Sequence, residues 1–237
     1  MARFAVVIPS KTLSNLLPCI KEITRLNNCK DFTLHVVDSG LDTKALWTSI
    51  STLAPDCSTW VTAAHTPFVF AQAINSAVRF ATEDIILVMN DDALLKTQNG
   101  LTMLAEAVRM NPEYGVISAG VTGAACNGKI IVPSRPHAPF PNEVQDAGKM
   151  VPFICVGFSR SVFNRVGGLD ERFVDYGFED DDFCRSARTA GWKIGVLKSV
   201  AVNHEFLPST YRSSGVHVSL EPNRLRYIQK WGDHEGV

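Results

Sequence analysis

The sequence predicts an α/β domain built on a mostly parallel central sheet flanked by helices. Three observations carry that reading. Short apolar runs such as Phe4-Ala5-Val6-Val7-Ile8 and Ile85-Ile86-Leu87-Val88-Met89 lack polar alternation, so they read as strands buried on both faces. Between such runs lie segments whose apolar residues recur at helical spacing. The runs end in polar clusters: Pro9-Ser10, Asp38-Ser39-Gly40, Asn90-Asp91-Asp92 and Asn203-His204-Glu205. In a parallel sheet those ends converge on one edge, where the ligands of open α/β sheets collect.

Taken in order, 4–8 is the first strand, and Leu13, Leu16, Leu17, Ile20 and Ile23 mark a helix after it. A second strand at 34–37 completes a βαβ unit, which implies a right-handed crossover. A helix over 42–55 and a short strand at 60–62 follow. Ala71, Ile74, Ala77, Val78 and Ala81 form the helix that leads into the strand at 85–89. Leu101, Leu104 and Val108 mark the next helix, stopped by Asn111-Pro112. Strands are expected at 114–119 and 153–158, separated by a proline-rich loop at 132–142. A short helix ends at Gly167-Gly168. The helix over 179–190 carries acids in its first turn and Gly191 at its end, as the helix dipole prefers. Strands at 193–197 and 200–202 resume the sheet, and 223–231 reads as a short helix.

Composition narrows the function classes. The 237 residues, 46% apolar and 20% charged, are enough for one large α/β domain. A net charge of −1 with no basic stripe gives no electrostatic case for nucleic acid. No apolar run approaches the length of a membrane span, and the first residues lack a signal-peptide layout. The six cysteines (Cys19, Cys29, Cys57, Cys126, Cys155, Cys184) form no CxxC pair. They are expected to be reduced, mostly buried thiols, with neither a zinc site nor a disulfide framework, which points to the cytosol.

The chemistry-bearing residues are acids. Asp91 and Asp92 are adjacent at a strand end and repel each other unless a positive charge sits beside them. A divalent cation with a phosphate on its far side supplies that charge. The same triplet is also what an ordinary strand-to-loop turn looks like. Glu179-Asp180-Asp181-Asp182 reads either as a solvated, dipole-favoured helix start or as the source of a buried carboxylate of raised pKa, able to act as a general base. For Asp181 the solvated reading is the better one; Phe178 and Phe183 point part of the run inward.

These residues in this order resemble the family 2 glycosyltransferases of the GT-A fold, which is Rossmann-like. The likeness runs through Val7-Ile8-Pro9-Ser10, Val36-Val37-Asp38-Ser39-Gly40, Phe70-Ala71-Gln72-Ala73-Ile74-Asn75, Asn90-Asp91-Asp92 at the position of the DXD motif, Val166-Gly167-Gly168-Leu169-Asp170-Glu171-Arg172-Phe173, and Tyr176-Gly177-Phe178-Glu179-Asp180-Asp181-Asp182-Phe183. It implies a catalytic domain over 1–205 and a C-terminal extension over 206–237 that holds a short amphipathic helix. It implies an inverting transfer of a hexosyl or deoxyhexosyl group from a nucleotide-diphosphate sugar, UDP- or dTDP-linked, to a hydroxyl of a saccharide or lipid-linked saccharide.

By the same resemblance, Pro9 and Ser10 line the nucleotide pocket, Asp38 accepts from the base and Asn75 orients the nucleotide. Asp91 reaches the ribose or donor sugar beside Asn90. Asp92 and His204 bind Mn²⁺ or Mg²⁺, and Asp180 deprotonates the acceptor. Gly167, Gly168, Asp170 and Glu179 shape the acceptor side. Asn90 departs from the motif, which has Asp there, and leaves one less negative charge near the sugar. The stretch Asn223-Arg224-Leu225-Arg226-Tyr227-Ile228-Gln229-Lys230-Trp231-Gly232 resembles the tail of some members; a helix packed on the domain or on a neighbouring subunit is an equally good reading of it.

Other classes remain. A nucleotidyltransferase shares the sheet and the metal, but Pro9-Ser10-Lys11-Thr12 has neither the Gly nor the Arg expected after its first strand. A non-catalytic nucleotide-sugar- or glycan-binding module keeps the fold, with Asn90 in its favour. The GxxxxGK[ST] loop of P-loop kinases is missing. Cys155 and Cys184 lack any nucleophile pattern. Arg135, His137, Trp192 and His217 read equally well as substrate contacts or as residues with no part in the site. The cytosol, with a peripheral place at the membrane, is the expected location, and a second copy of the chain is an expected partner.

Overall fold

A computed structural model describes residues 3–64, 67–123, 143–175, 177–204 and 220–232. The expected loop at 132–142, Cys126, Arg135, His137, Tyr176, Glu205 and His217 lie outside the described residues.

The first half follows the β/α alternation read from the sequence: β1 (Phe4–Ser10), α1 (Leu13–Leu26), β2 (Phe32–Asp38), α2 (Thr43–Leu53), β3 (Ser58–Ala63), α3 (Phe70–Phe80) and β4 (Ile85–Met89). Beyond it come β5 (Leu94–Leu95), α4 (Gly100–Met110), β6 (Tyr114–Thr122), β7 (Gln145–Asp146), β8 (Cys155–Ser159), α5 (Arg160–Val166), α6 (Glu179–Thr189), β9 (Lys193–Asn203) and α7 (Glu221–Trp231).

The strands form one sheet in the order β3-β2-β1-β4-β8-β6-β9-β5, with β7 against β9. Strands buried on both faces separate two apolar layers. In β1, Phe4, Val6 and Ile8 face the layer of α1, α2 and α4, while Ala5 and Val7 face that of α3, α5 and α6. Ile85, Leu87 and Met89 of β4 alternate with Ile86 and Val88 in the same way.

The α/β fold with its central sheet flanked by helices is as expected, the structure adds the strand directions, and two further expectations need correction. The sheet is mixed: β1, β2, β3 and β4 pair in parallel, but β8 runs antiparallel to both of its neighbours, β4 and β6. An apolar run reads the same in either direction, so its pattern carries no sign of orientation. The two late strands are one strand, β9, whose pairing with β6 slips between Ala119↔Leu197 and Gly120↔Ala201. Finally, Cys29 and Cys57 form a disulfide, just before β2 and β3 begin. Their 28-residue separation gave no motif; the parallel pairing of β2 and β3 brings them together. Disulfides persist in oxidising surroundings, so cysteine usage no longer points to the cytosol. Cys19, Cys155 and Cys184 are free and buried, as expected. Among the described residues no helix is long and apolar enough to cross a membrane.

Candidate active site

Strand register builds one side of the site. Ser10 pairs with Asp38, and Asp38 with Ala63, at the carboxyl ends of β1, β2 and β3. The β1–β4 ladder ends at Val7↔Val88, and continuing that step brings Ser10 level with Asp91. Ser10 Oγ donates to Asp91 Oδ2 at 2.6 Å. Pro9 lies past the end of the β4 ladder, so its missing N–H costs that ladder nothing. Burial pushes the Asp91 carboxyl up to about 6, against the opposing pull of the Ser10 hydrogen bond. Asp38 is buried; its Oδ1 accepts from the N–H groups of Gly40 (3.1 Å) and Leu41 (2.7 Å), and its Oδ2 accepts from Thr43 Oγ1 (2.7 Å). It therefore shapes the loop that closes this edge, with a single lone pair, on Oδ2, left over.

Asp92 and His204 meet through β5. This two-residue strand pairs Leu94 with Asn203 antiparallel, which sets Ala93 beside His204 and Asp92 next to it. His204 Nε2 lies 3.0 Å from Asp92 Oδ1, and His204 N–H donates to Thr122 O. Two ligands at right angles, each about 2.1 Å from a small octahedral cation, stand about 3.0 Å apart, so the pair fits such an ion. His204 Nδ1 is buried without a hydrogen-bond partner among the described residues. No set of three or more His, Cys, Asp or Glu side chains able to hold a metal forms among the described residues, so an ion on this pair would need further ligands to complete its shell.

Asn75, expected to orient the nucleotide, instead commits its whole side-chain amide to the loop after α5. Its Nδ2 donates to Leu169 O and Glu171 Oε1, both at 2.8 Å, and its Oδ1 accepts from Leu169 N–H at 2.9 Å. Gly168 fits against it: a Cβ there would lie 2.8 Å from Asn75 Oδ1, and its φ of +84° is a left-handed value. Asp170, placed on the acceptor side by the resemblance, is held by Arg172 (2.9 and 2.6 Å) and Lys230 (3.0 Å). The Arg172 hydrogen bonds, seconded by Lys230, hold its carboxyl well below the usual carboxylate range.

The acids of α6 divide by environment. Asp180 accepts from Asp181 N–H (3.0 Å), and the backbone N–H of Phe153 favours the ionised form of its carboxyl. The next carbonyl, that of Ile154, accepts from Asn90 N–H at 2.9 Å. Phe153-Ile154 thus bridges the two acidic clusters, through backbone groups that no side-chain pattern announces. Burial raises the Asp180 carboxyl above its ordinary value. Glu179 is buried, pushed well up by desolvation and then by Asp180, and its Oε2 has no hydrogen-bond partner among the described residues. Asp182 faces α7. Cys155 is pushed by burial to about 12 and Cys184 is raised as well, so neither offers a thiolate. Trp192 packs on Gly115, where an added Cβ would lie 2.9 Å from Trp192 Cβ.

Comparison with known proteins gives the same picture. The chain aligns at 25% identity over 209 residues with the uncharacterized protein y4gI of Sinorhizobium fredii, covering 79% of this chain but only 23% of that relative. Among solved structures it is similar to the mannosyltransferase PcManGT from Pyrobaculum calidifontis in complex with GDP-Man and Mn²⁺ (TM-score 0.67, 21% identity, 96% of this chain and 61% of that one). It is also similar to GalNAc-T7 with UDP, GalNAc and Mn²⁺ (TM-score 0.76, 12% identity, 99% and 49%) and to S. aureus TarS 1-349 in complex with UDP-GlcNAc (TM-score 0.66, 16% identity, 94% and 64%). At these identities the likeness speaks for the fold, which is GT-A, and the chain spans less than two thirds of each. The model for "Glycosyltransferase like family 2" matches residues 2–220, and the chain belongs to that family.

Proposed function

We propose that the chain is an inverting glycosyltransferase that moves a hexosyl or deoxyhexosyl group from a nucleoside-diphosphate sugar to a hydroxyl of a saccharide or lipid-linked saccharide. One observation carries the reading: a half-buried Asp180 of raised pKa joins, through Phe153-Ile154, the strand edge that holds Ser10, Asp91, Asp92 and His204. The nucleotide sugars GDP-Man and UDP-GlcNAc in two of the similar structures, and UDP with GalNAc in the third, support the donor class.

The roles follow from the chemistry. Asp180 takes the acceptor hydroxyl proton as the acceptor oxygen bonds to the anomeric carbon and the carbon–phosphate-oxygen bond breaks. Its raised pKa makes it a stronger base than an ordinary carboxylate. Buried Glu179, held toward its protonated form, offers an O–H to the acceptor. Asp91, ionised at neutral pH and fixed by Ser10, faces the donor, with Asn90 beside it. Pro9, Ser10 and Asp38 form the nucleotide edge, Asn75 braces the Gly168 loop, and Asp92 with His204 would hold Mn²⁺ or Mg²⁺. A bound divalent cation neutralises charge on the diphosphate leaving group.

The test is a panel of UDP-, dTDP- and GDP-sugars, with Mn²⁺, Mg²⁺ or EDTA, scored for release of nucleoside diphosphate with and without saccharide acceptors. Cation-dependent release is expected from one donor class. Binding without any hydrolysis or transfer would leave a nucleotide-sugar-binding module instead.

A further inference from the structure

The C-terminal helix α7 lies outside the strand edge that builds the donor site, yet its sequence is patterned toward the domain. Asn223, Tyr227, Lys230 and Trp231 recur at i, i+4, i+7 and i+8, which puts them on one helix face. Each has a partner on the elements that carry the acids. Asn223 Nδ2 donates to Val174 O (2.8 Å) and Gly177 O (3.0 Å), and Tyr227 packs on Phe178 with ring centroids 5.8 Å apart. Lys230 Nζ reaches both oxygens of Asp182 (2.8 and 2.9 Å) and Asp170 Oδ2 (3.0 Å). Trp231 Nε1 donates to Asp182 Oδ1 at 2.8 Å, and its ring lies under Arg185, 4.8 Å from the guanidinium carbon.

α6 needs an outside hold. Its N-cap residue, Phe178, is left-handed (φ 72°) and offers no side-chain cap. Asp182, two residues after Asp180, has a side chain only 2% exposed. Without Lys230 and Trp231 that buried carboxylate would lose the hydrogen bonds that α7 gives both of its oxygens.

We propose that α7 is a strap that positions the general base: Lys230 and Trp231 hold Asp182, and through it fix α6 so that Asp180 is aimed at the acceptor. Lys230 also ties α6 to the Gly168–Asp170 loop that Asn75 braces, so the two parts of the acceptor side move as one body. Lys230 and Trp231 are positioning residues, remote from the reacting atoms. The claim that they act through Asp180 rests on the transferase reading above; the strap itself does not.

The experiment uses the full chain and three variants, Lys230→Met, Lys230→Arg and Trp231→Phe, each checked for fold by circular dichroism and melting. Hydrogen exchange of the α6 amides is read first. In Lys230→Met they should exchange at least about tenfold faster, with α3 and α4 unchanged; unchanged α6 amides overturn the strap whatever the activity. Affinity for UDP plus Mn²⁺ is then measured by calorimetry, and turnover on the nucleotide sugar that the wild type uses fastest. Lys230→Met should lose roughly 10- to 100-fold in kcat with UDP affinity within twofold, the scale of a misplacement near 1 Å. Lys230→Arg should recover most of it, and Trp231→Phe, which removes one donor and keeps the ring, should fall between. A kcat within threefold of wild type with loosened α6, or UDP affinity falling in step with kcat, overturns the positioning role. A wild type with no turnover on any donor sinks the transferase reading and with it the link to Asp180, while the exchange result still decides whether the strap exists.

Discussion

The two halves of the proposed site, one for donor and one for acceptor, hold their acids by different means. On the donor half, Ser10, Asp38 and Asp91 stand at the ends of parallel strands, and their spacing is the hydrogen-bond register of β1, β2, β3 and β4. On the acceptor half, Glu179, Asp180 and Asp182 stand on the first turn of one helix, held from outside by Phe153 N–H, Lys230 and Trp231. A ladder of many backbone bonds changes little when one side chain is altered. A helix held by a few side-chain contacts moves when one of them goes. The donor half should therefore lose ligands one at a time, while the acceptor half should fail through geometry.

The largest expected effect breaks the halves apart. Asp180→Asn should keep donor binding and lose transfer by ~10²–10⁴-fold, the usual range for a general base; turnover within a few-fold of wild type would remove Asp180 from the role. Burial raises the Asp180 carboxyl above its ordinary value near 4, and only the ionised form accepts a proton. The kcat/KM profile should thus fall as pH drops through that raised value, with its acid limb above pH 4. For stability the same shift works the other way. The folded state holds this proton more tightly than the unfolded chain, so the group favours the fold on the acid side and loses that contribution as pH rises between the ordinary and the raised value.

Next comes a contrast that should leave chemistry alone. The Cys29–Cys57 disulfide staples the starts of β2 and β3, at the far ends of those strands from the site. Replacing both cysteines with serine should cost about 2–4 kcal/mol in denaturant unfolding with kcat unchanged. A large loss of kcat would mean that the donor half is less rigid than its ladders suggest.

Within the donor half, Asp92→Ala should weaken Mn²⁺-dependent UDP binding by roughly 10- to 100-fold in calorimetry, a scale set by losses at metal sites. Equal affinity with and without Mn²⁺ in the wild type would end the metal reading. The smallest effect lies where the halves touch: Gly168→Ala forces a Cβ against Asn75 at a left-handed φ, and should destabilise by about 1–3 kcal/mol. A melting temperature equal to wild type would show that the Asn75 brace yields at no cost.

The sequence by itself determined the succession of strands and helices, the two-sided burial of β1 and β4, and the acids at strand ends. Those follow from period and local burial, which neighbouring residues encode. It also held the stripe Asn223, Tyr227, Lys230, Trp231, though not what the stripe faces. Only the tertiary structure decided that β8 runs antiparallel, that a two-residue β5 brings Asp92 to His204, that Asn75 serves a loop 94 residues away, and that Lys230 holds acids 48 and 60 residues upstream. Each of these is a pairing across long chain separations. Pairing is chosen by the whole packed domain, because the partner that satisfies a buried amide, thiol or carboxylate is fixed only once every other surface has found its own.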